Sequence, residues 1–420
     1  MTSGAARAEI RSTGLLRLEP TPVVTASGHA ARYDDTEQRL RPLLRRVPIT
    51  RVYDVSPLDV LGLPVWCAVT PLALDLTVHT GKGTTPQAAR ISAVMEAVER
   101  VSAEEVADGQ IVRASYRDLR RRAGDSIVLD PATCDLPFET RYRPDDEIGW
   151  LVGHDLLAER TAYLARDLVV SPPRDDVCHL VETNGLAAGN TATEATLHAL
   201  YEIVERHEVS VTRFADLHQD LSALPRPRMI DTTTLDPTCS AWADRIRQQG
   251  MELVVRDVTG ELGVPVYTAY VVDQSFPGAE GESIAFGGYG ADLDVVRALT
   301  RAITEAVQSH SGTMLGARDA FEGGRVTTDR SATLQRHIAV LNPHRTVPLE
   351  SRPFPHDDLR DAVIDVLARL RDAGVQHCVV NDLTRPDLEV PVVRVTAVGL
   401  APPYRETTRR PCWRLLETVL

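Results

Sequence analysis

Apolar positions along the chain follow two spacings. Compact or alternating runs read as strands: "VWCAVTPL", "LDLTVHT", "MELVVRDV", "VPVYTAYVVD", "SIAFGGYG", "HCVVNDL" and "VPVVRVTAV", with "WLVGHDLL" and "TAYLARDLVV" as a hairpin. Runs with helical spacing lie between them. "TEQRLRPLLRRV" reads as a short amphipathic helix capped by Thr36, and a longer helix opens at Thr85-Pro86, where proline suits a first turn. "YRDLRRRAG" reads as a solvated helix, and "AWADRIRQQ" as another. The glycine-rich "NGLAAGN" feeds a long helix with Thr191 or Thr193 near its cap, and "VVRALTRAITEAVQSH" is a third long helix. Two further helices are expected around 330–340 and 357–373. Strands and helices alternate without a regular βα period, which predicts an α/β fold with mixed sheets. Residues 1–30 are small and polar and are expected to be poorly ordered until docked, with one domain over 31–420.

The three long helices share a second pattern. The first carries Ser92, Glu96, Glu99 and Arg100, the second His198, Glu202, Glu205 and Arg206, and the third Arg301, Glu305 and Gln308. Polar residues recur at i, i+4 and i+7, a stripe about 60° wide. Alanine, leucine, isoleucine and valine fill most of the surrounding surface. Each helix is therefore expected to be packed on most sides with one polar seam. Unpaired buried carboxylates cost several kcal/mol each, so the seams need cations. Arginines can supply part of that charge, and Mg²⁺, which favours carboxylate oxygens and keeps room for phosphates and water, can supply the rest. Such a site suits a nucleoside triphosphate. The competing reading is a set of interhelix salt bridges, since ExxER spacing is common. Three repeats in apolar helices favour a site. "NGLAAGN" adds exposed amides at a helix N-terminus, with Asn190 and Glu194 in reach of an anion bound there. "GKG" at 81–83 reads equally as a phosphate lysine or as an ordinary turn, and no Walker motif occurs. His198 is expected to pack or to orient rather than ligate.

Composition narrows the alternatives. Lys and Arg number 46 against 59 Asp and Glu, a formal charge of −13, so phosphate-backbone binding is not expected. Aromatics at 5% argue against stacking platforms for single strands. The six cysteines are scattered without a CxxC pair, as in a reducing compartment. "MTSGAARAEIRSTG" lacks the apolar core of a signal peptide and no apolar run reaches membrane-span length, which together predict a cytoplasmic protein. A homodimer is the expected assembly. Cys412 and Trp413 are expected to pack rather than line a site.

From about residue 36 onward the sequence resembles the YcaO family, through "GKGTTPQAARISAVMEAVERVSAE", "TNGLAAGNTATEATLHALYEIVERHE" and "GYGADLDVVRALTRAITEAVQSHSGTMLGARDAF". "ITRVYDVSPLDVLGLPVWCAVTP" is similar to the branch that includes TfuA-associated and stand-alone members. The resemblance implies a YcaO-type fold whose three long helices form a site for ATP and Mg²⁺. By motif position it implies metal ligation by Glu96, Glu99, Glu202, Glu205 and Glu305. It implies nucleotide contacts from Ser92, Asn190, Glu194, Arg206 and Arg301, with Thr36 the nearest match to an N-terminal serine or threonine of the family. Arg206, Arg301 and Glu305 are the implied catalytic set. The resemblance implies that a nucleophile adds to a backbone amide carbonyl of a precursor peptide, that ATP phosphorylates the resulting oxyanion, and that loss of phosphate leaves the altered backbone. A substrate Cys, Ser or Thr as nucleophile gives an azoline, external sulfide a thioamide, and an amine an amidine. Azoline-forming members commonly end in a PxPxP tail, whereas this chain ends "RRPCWRLLETVL" and shows no fused leader-binding domain. The expectation is a thioamide or amidine product, with a TfuA-like or leader-binding partner presenting the peptide. Azoline cyclodehydration is the alternative. A catalytically silent accessory role would predict a damaged seam, and every acid sought is present.

Overall fold

The computed structural model describes residues 17–24, 28–178, 182–218, 227–273, 285–315, 346–404 and 409–418. The helix expected around 330–340 lies outside them. The N-terminal segment from residue 17 to 24 docks on the rest: Leu359 N donates to Thr21 O at 2.8 Å and Val23 N to Asp357 O at 3.0 Å.

The chain first builds a three-stranded antiparallel sheet, β1 (Arg51–Asp54), β2 (Val65–Val69) and β3 (Val78–Lys82), after a short helix α1 (Tyr33–Leu40). Helix α2 (Pro86–Ala103) follows, its N-cap Thr85 accepting from Ala88 N as the sequence predicts. A second sheet begins with β4 (Ile111–Ala114), β5 (Ile127–Val128), the expected hairpin β6 (Ile148–Asp155) and β7 (Arg160–Ala165), and β8 (Leu186–Ala188). The solvated helix α3 (Tyr116–Arg122) lies between β4 and β5. After α4 (Ala192–Leu217), capped by Thr191, a five-stranded sheet forms. It contains β9 (Arg228–Ile230), β10 (Glu252–Asp257), β11 (Val266–Val272), β12 (Ala285–Ala291) and β13 (Thr346–Val347), with α5 (Pro237–Gln248) and α6 (Val295–Met314) in sequence between them. The tail helix α7 (Leu359–Asp372) leads to β14 (His377–Asp382) and β15 (Val392–Val398), which complete the seven-stranded second sheet, and α8 (Trp413–Leu416) ends it. Parallel pairs (β5–β7, β9–β13) occur among antiparallel ones, so the sheets are mixed as expected.

Each long helix lies on its own sheet: α2 on β2 and β3, α4 on β15 and β8, α6 on β12 and β11. Glycine opposite alanine sets how closely. A Cβ on Gly81 of β3 would stand 2.0 Å from Ala93 N, and one on Gly288 of β12 would stand 2.1 Å from Ala306 N. These strands run against helix backbone, which only a missing side chain permits. Buried Ala93, Ala97, Ala298, Ala302 and Ala306 continue the contact.

Three local expectations are corrected. Thr36 is not an N-cap: α1 starts at Tyr33, capped position Arg32 makes no side-chain bond, and Thr36 lies inside the helix. The "LDLTVHT" strand starts only at Val78, because Leu74 N is taken by Glu104 and Asp75 by Arg100, which shape residues 71–77 into turns. The "AWADRIRQQ" helix begins earlier, where Asp236 caps Thr238 and Cys239 and Pro237 occupies the first turn.

Candidate active site

The seams of α2, α4 and α6 converge on one cavity of about 880 Å³. Ser92, Glu96, Glu99 and Arg100 reach it from α2; Glu194, His198, Glu202, Glu205 and Arg206 from α4; Arg301, Glu305 and Gln308 from α6. Thr36 and Asn190 line it as well. Every site residue expected from the sequence is therefore brought to a single enclosure.

Interhelix salt bridges do not account for the acids. Arg100 is 3.2 Å from Asp75 and only 4.0 Å from Glu96. Arg206 lies 3.5 Å from Glu205 and 3.9 Å from Glu202, both on its own helix. Glu99 accepts a bond from Ala188 N at 3.1 Å. Burial, reinforced by Glu202 and Glu96, pushes the Glu99 carboxyl well above the usual carboxylate range. Burial pushes Glu202 up to about 7 against the pull of Arg206. Glu205 is likewise raised by burial, opposed by Arg206. Acids in this condition favour either a proton or a further cation. Their hard carboxylate oxygens suit Mg²⁺, and the donor set fits that ion.

Glu305 behaves differently. Burial would raise it, but Lys82 and Arg206 hold it below the ordinary value. Lys82 Nζ donates to Glu305 Oε2 from the end of β3, across the cavity wall. The sequence left this lysine undecided between phosphate contact and turn; it is the last residue of a strand, aimed inward. Gln308 lines the cavity with the seam and also braces α6 on β3, donating at 2.6 Å to Thr80 O and Oγ1. Arg301 has its guanidinium 5.8 Å from the centre of the Tyr201 ring, and among the described residues no carboxylate lies within ion-pair distance of it.

At the other end, Thr36 Oγ1 donates to Asn190 Oδ1 at 2.8 Å, and Asn190 N donates to Glu194 Oε2 at 2.7 Å. His29, which the sequence did not mark, bonds Glu194 Oε1 through Nδ1 at 2.7 Å. Burial alone would raise Glu194, but the His29 bond and neighbouring His198 hold it down at about 2. His198 is kept neutral, near 3, by burial and by Arg301. The ligating atoms of His29, Glu194 and His198 lie within 4.8 Å of one another. No local spacing signals His29, which stands 165 residues from Glu194.

Cys412 is buried against Phe214, Ala401, Tyr404 and Leu415, while Trp413 is 65% exposed; neither lines the cavity. The six cysteines are free. Among the described residues no helix is long and apolar enough to cross a membrane.

A family profile described as "YcaO cyclodehydratase, ATP-ad Mg2+-binding" matches residues 80–401. An uncharacterised protein of Rhizobium leguminosarum bv. trifolii, named for the tfuA 3' region, is 34% identical over 372 residues, covering 86% of each chain. An uncharacterised Mycobacterium tuberculosis protein is 32% identical over 388 residues, covering 87% of this chain and 81% of its own. Among solved structures, YcaO from Methanopyrus kandleri bound with AMPPCP and Mg²⁺ matches with a TM-score of 0.67 at 25% identity, over 91% of this chain and 94% of that one. A heterocyclase in complex with substrate and cofactor has the same fold, with a TM-score of 0.74 at 24% identity over 93% of this chain, which spans 55% of that longer one. With the profile across most of its length and relatives above 30% identity along nearly all of it, the chain belongs to the YcaO family of ATP- and Mg²⁺-binding enzymes.

Proposed function

We propose that the chain uses ATP to phosphorylate the oxyanion formed when sulfide or an amine adds to a backbone amide carbonyl of a ribosomally made precursor peptide, so that loss of phosphate leaves a thioamide or amidine. The observation that supports this most directly is the convergence of Glu96, Glu99, Glu202, Glu205 and Glu305 with Arg206 and Arg301 on one cavity of about 880 Å³. That volume lies at the upper end of ordinary ligand pockets. In this reading the five glutamates hold Mg²⁺. Thr36, Asn190 and Glu194 form the nucleoside end, fixed relative to one another by their hydrogen bonds. Ser92 lies between the ends, its Oγ 3.4 Å from Lys82 N.

Amide oxygen is a poor leaving group, and phosphorylation makes it a good one. ATP supplies the phosphoryl group, and bound Mg²⁺ lowers its charge. Arg206 and Arg301 line the cavity with Glu202, Glu205 and Glu305, and in this reading their guanidiniums stabilise the charge that grows in the transfer. Glu305, kept ionised by Lys82, positions that end of the site. A separate partner presenting the peptide is part of the proposal, in keeping with a relative named for the tfuA region.

Calorimetric titration of ATP with and without Mg²⁺ tests the site. Mg²⁺-dependent binding should fall by at least ~100-fold in Glu202→Gln/Glu205→Gln, the loss of two ligand charges. Equal binding to both proteins would reject it. Mass spectrometry of the treated peptide tests the product: oxygen exchanged for sulfur supports the thioamide, water loss mapped by fragmentation to an amide and a peptide amine supports the amidine, and water loss mapped to a Cys, Ser or Thr would establish azoline formation instead.

A further inference from the structure

A second, smaller cavity lies behind the acid seam. It measures about 60 Å³ and is lined by Arg394 of β15, Asn184, Glu182 and Asp135. Ile203, next to Glu202 on α4, forms part of its wall. Arg394 is 2% exposed, yet among the described residues its Nε and Nη1 have no hydrogen-bond partner. Asn184 Oδ1 is also buried without one. A guanidinium taken out of water without hydrogen bonds is costly. Glu182, which also lines the cavity, gives it no ion pair, because its Oε2 is held at 2.7 Å by Arg409.

The free groups define the occupant. Arg394 offers donors and a positive charge, and Asn184 offers an acceptor. A metal ion would meet the repelling guanidinium with Glu182 already held by Arg409, and an apolar group would satisfy neither free group. Hydrogen phosphate accepts from arginine through its oxygens and donates through its hydroxyl. A buried water needs roughly 10–15 Å³ of such space, so the cavity takes about four water-sized atoms, the number of oxygens in phosphate. Glu182 is neutralised by Arg409, and burial raises the Asp135 carboxyl against the pull of Arg409. Arg394 feels the charges of Glu182 and Glu202, but among the described residues no carboxylate pairs with it directly.

We propose that Arg394 and Asn184 form an oxyanion subsite, apart from the nucleotide cavity, that holds the inorganic phosphate released by the reaction. The inference rests on the amide-phosphorylation reading for its occupant, but the subsite is tested independently of it. Equilibrium dialysis of radiolabelled inorganic phosphate would use the full chain saturated with Mg²⁺ and AMPPCP, so that the main cavity is filled. One equivalent of phosphate should bind, at least tenfold more weakly to Arg394→Met and to Asn184→Asp, the latter placing a negative charge on an intact fold. Soaking wild-type crystals with tungstate should give an anomalous peak beside Arg394 that survives EDTA. Should AMPPCP fail to bind, the nucleotide reading fails, and dialysis in EDTA still reports on Arg394. No phosphate bound by wild type, undiminished binding to both variants, or tungstate only at the glutamates would overturn the subsite and leave the cavity to water.

Discussion

At the scale of single residues, the site is governed by how each acid is neutralised. Glu305 has Lys82, whereas among the described residues Glu99 and Glu202 have only neighbouring arginines as cations, and Glu202 repels the Glu99 carboxylate. Lys82→Met should therefore destabilise the metal-free protein by about 1–3 kcal/mol, the cost of a half-buried carboxylate losing its partner. Mg²⁺ should then raise the melting temperature of the variant more than that of wild type, because the ion takes over the lysine's role. An equal shift in both would show that Lys82 does not share Glu305 with the metal. The same reasoning explains what was legible beforehand. The glutamates announce themselves by helical spacing, one turn apart among alanines. Lys82 and His29 do not, because their partners are 223 and 165 residues away.

At the scale of elements, glycine-on-alanine contacts seat the long helices on their sheets. Gly288→Ala would place a Cβ 2.1 Å from Ala306 N and 2.3 Å from Ala302 O, both backbone atoms that cannot rotate aside. The expected loss exceeds the ~1–3 kcal/mol of ordinary overpacking and would be read as a lower urea midpoint. A midpoint unchanged from wild type would mean that α6 slides on β12 without cost. Helix α4 carries a second strained acid below the seam. Burial pushes Glu208 up to about 7, opposed by backbone N–H bonds from Leu262 and Gly260. A carboxylate whose folded value is raised contributes instability as it ionises, so this group lowers stability as pH rises from about 4.5 to about 7. Glu208→Gln should remove that slope, worth on the order of 3 kcal/mol by the end of the window. Parallel pH–stability curves for the two proteins would refute the assignment.

At the scale of the whole molecule, the cavity joins three helices that each belong to a different sheet. A ligand there ties the three units together. Mg²⁺-ATP at 100 times its dissociation constant adds about 2.7 kcal/mol, which for a chain of this size is an increase of about 3 °C in melting temperature. EDTA should abolish the increase. A shift that persists in EDTA would place nucleotide binding away from the glutamates.

Local chemistry is enough to determine much of this protein from its sequence. Helical periodicity set out the three long helices and their acid stripes, threonine caps at 85 and 191 marked where two of them begin, and the mixed alternation of strands and helices foretold the sheets. Those signals survive because they depend on residues within a turn or two of each other. Tertiary structure alone decided the rest. It removed Thr36 from a cap and set it on Asn190, made seam residue Gln308 a brace onto β3 as well, and ran Lys82 into the cavity. It also left Arg394 buried, with two of its nitrogens without a hydrogen-bond partner among the described residues. Each of these outcomes depends on partners brought together by sheet packing, and no periodicity in the chain encodes who those partners are.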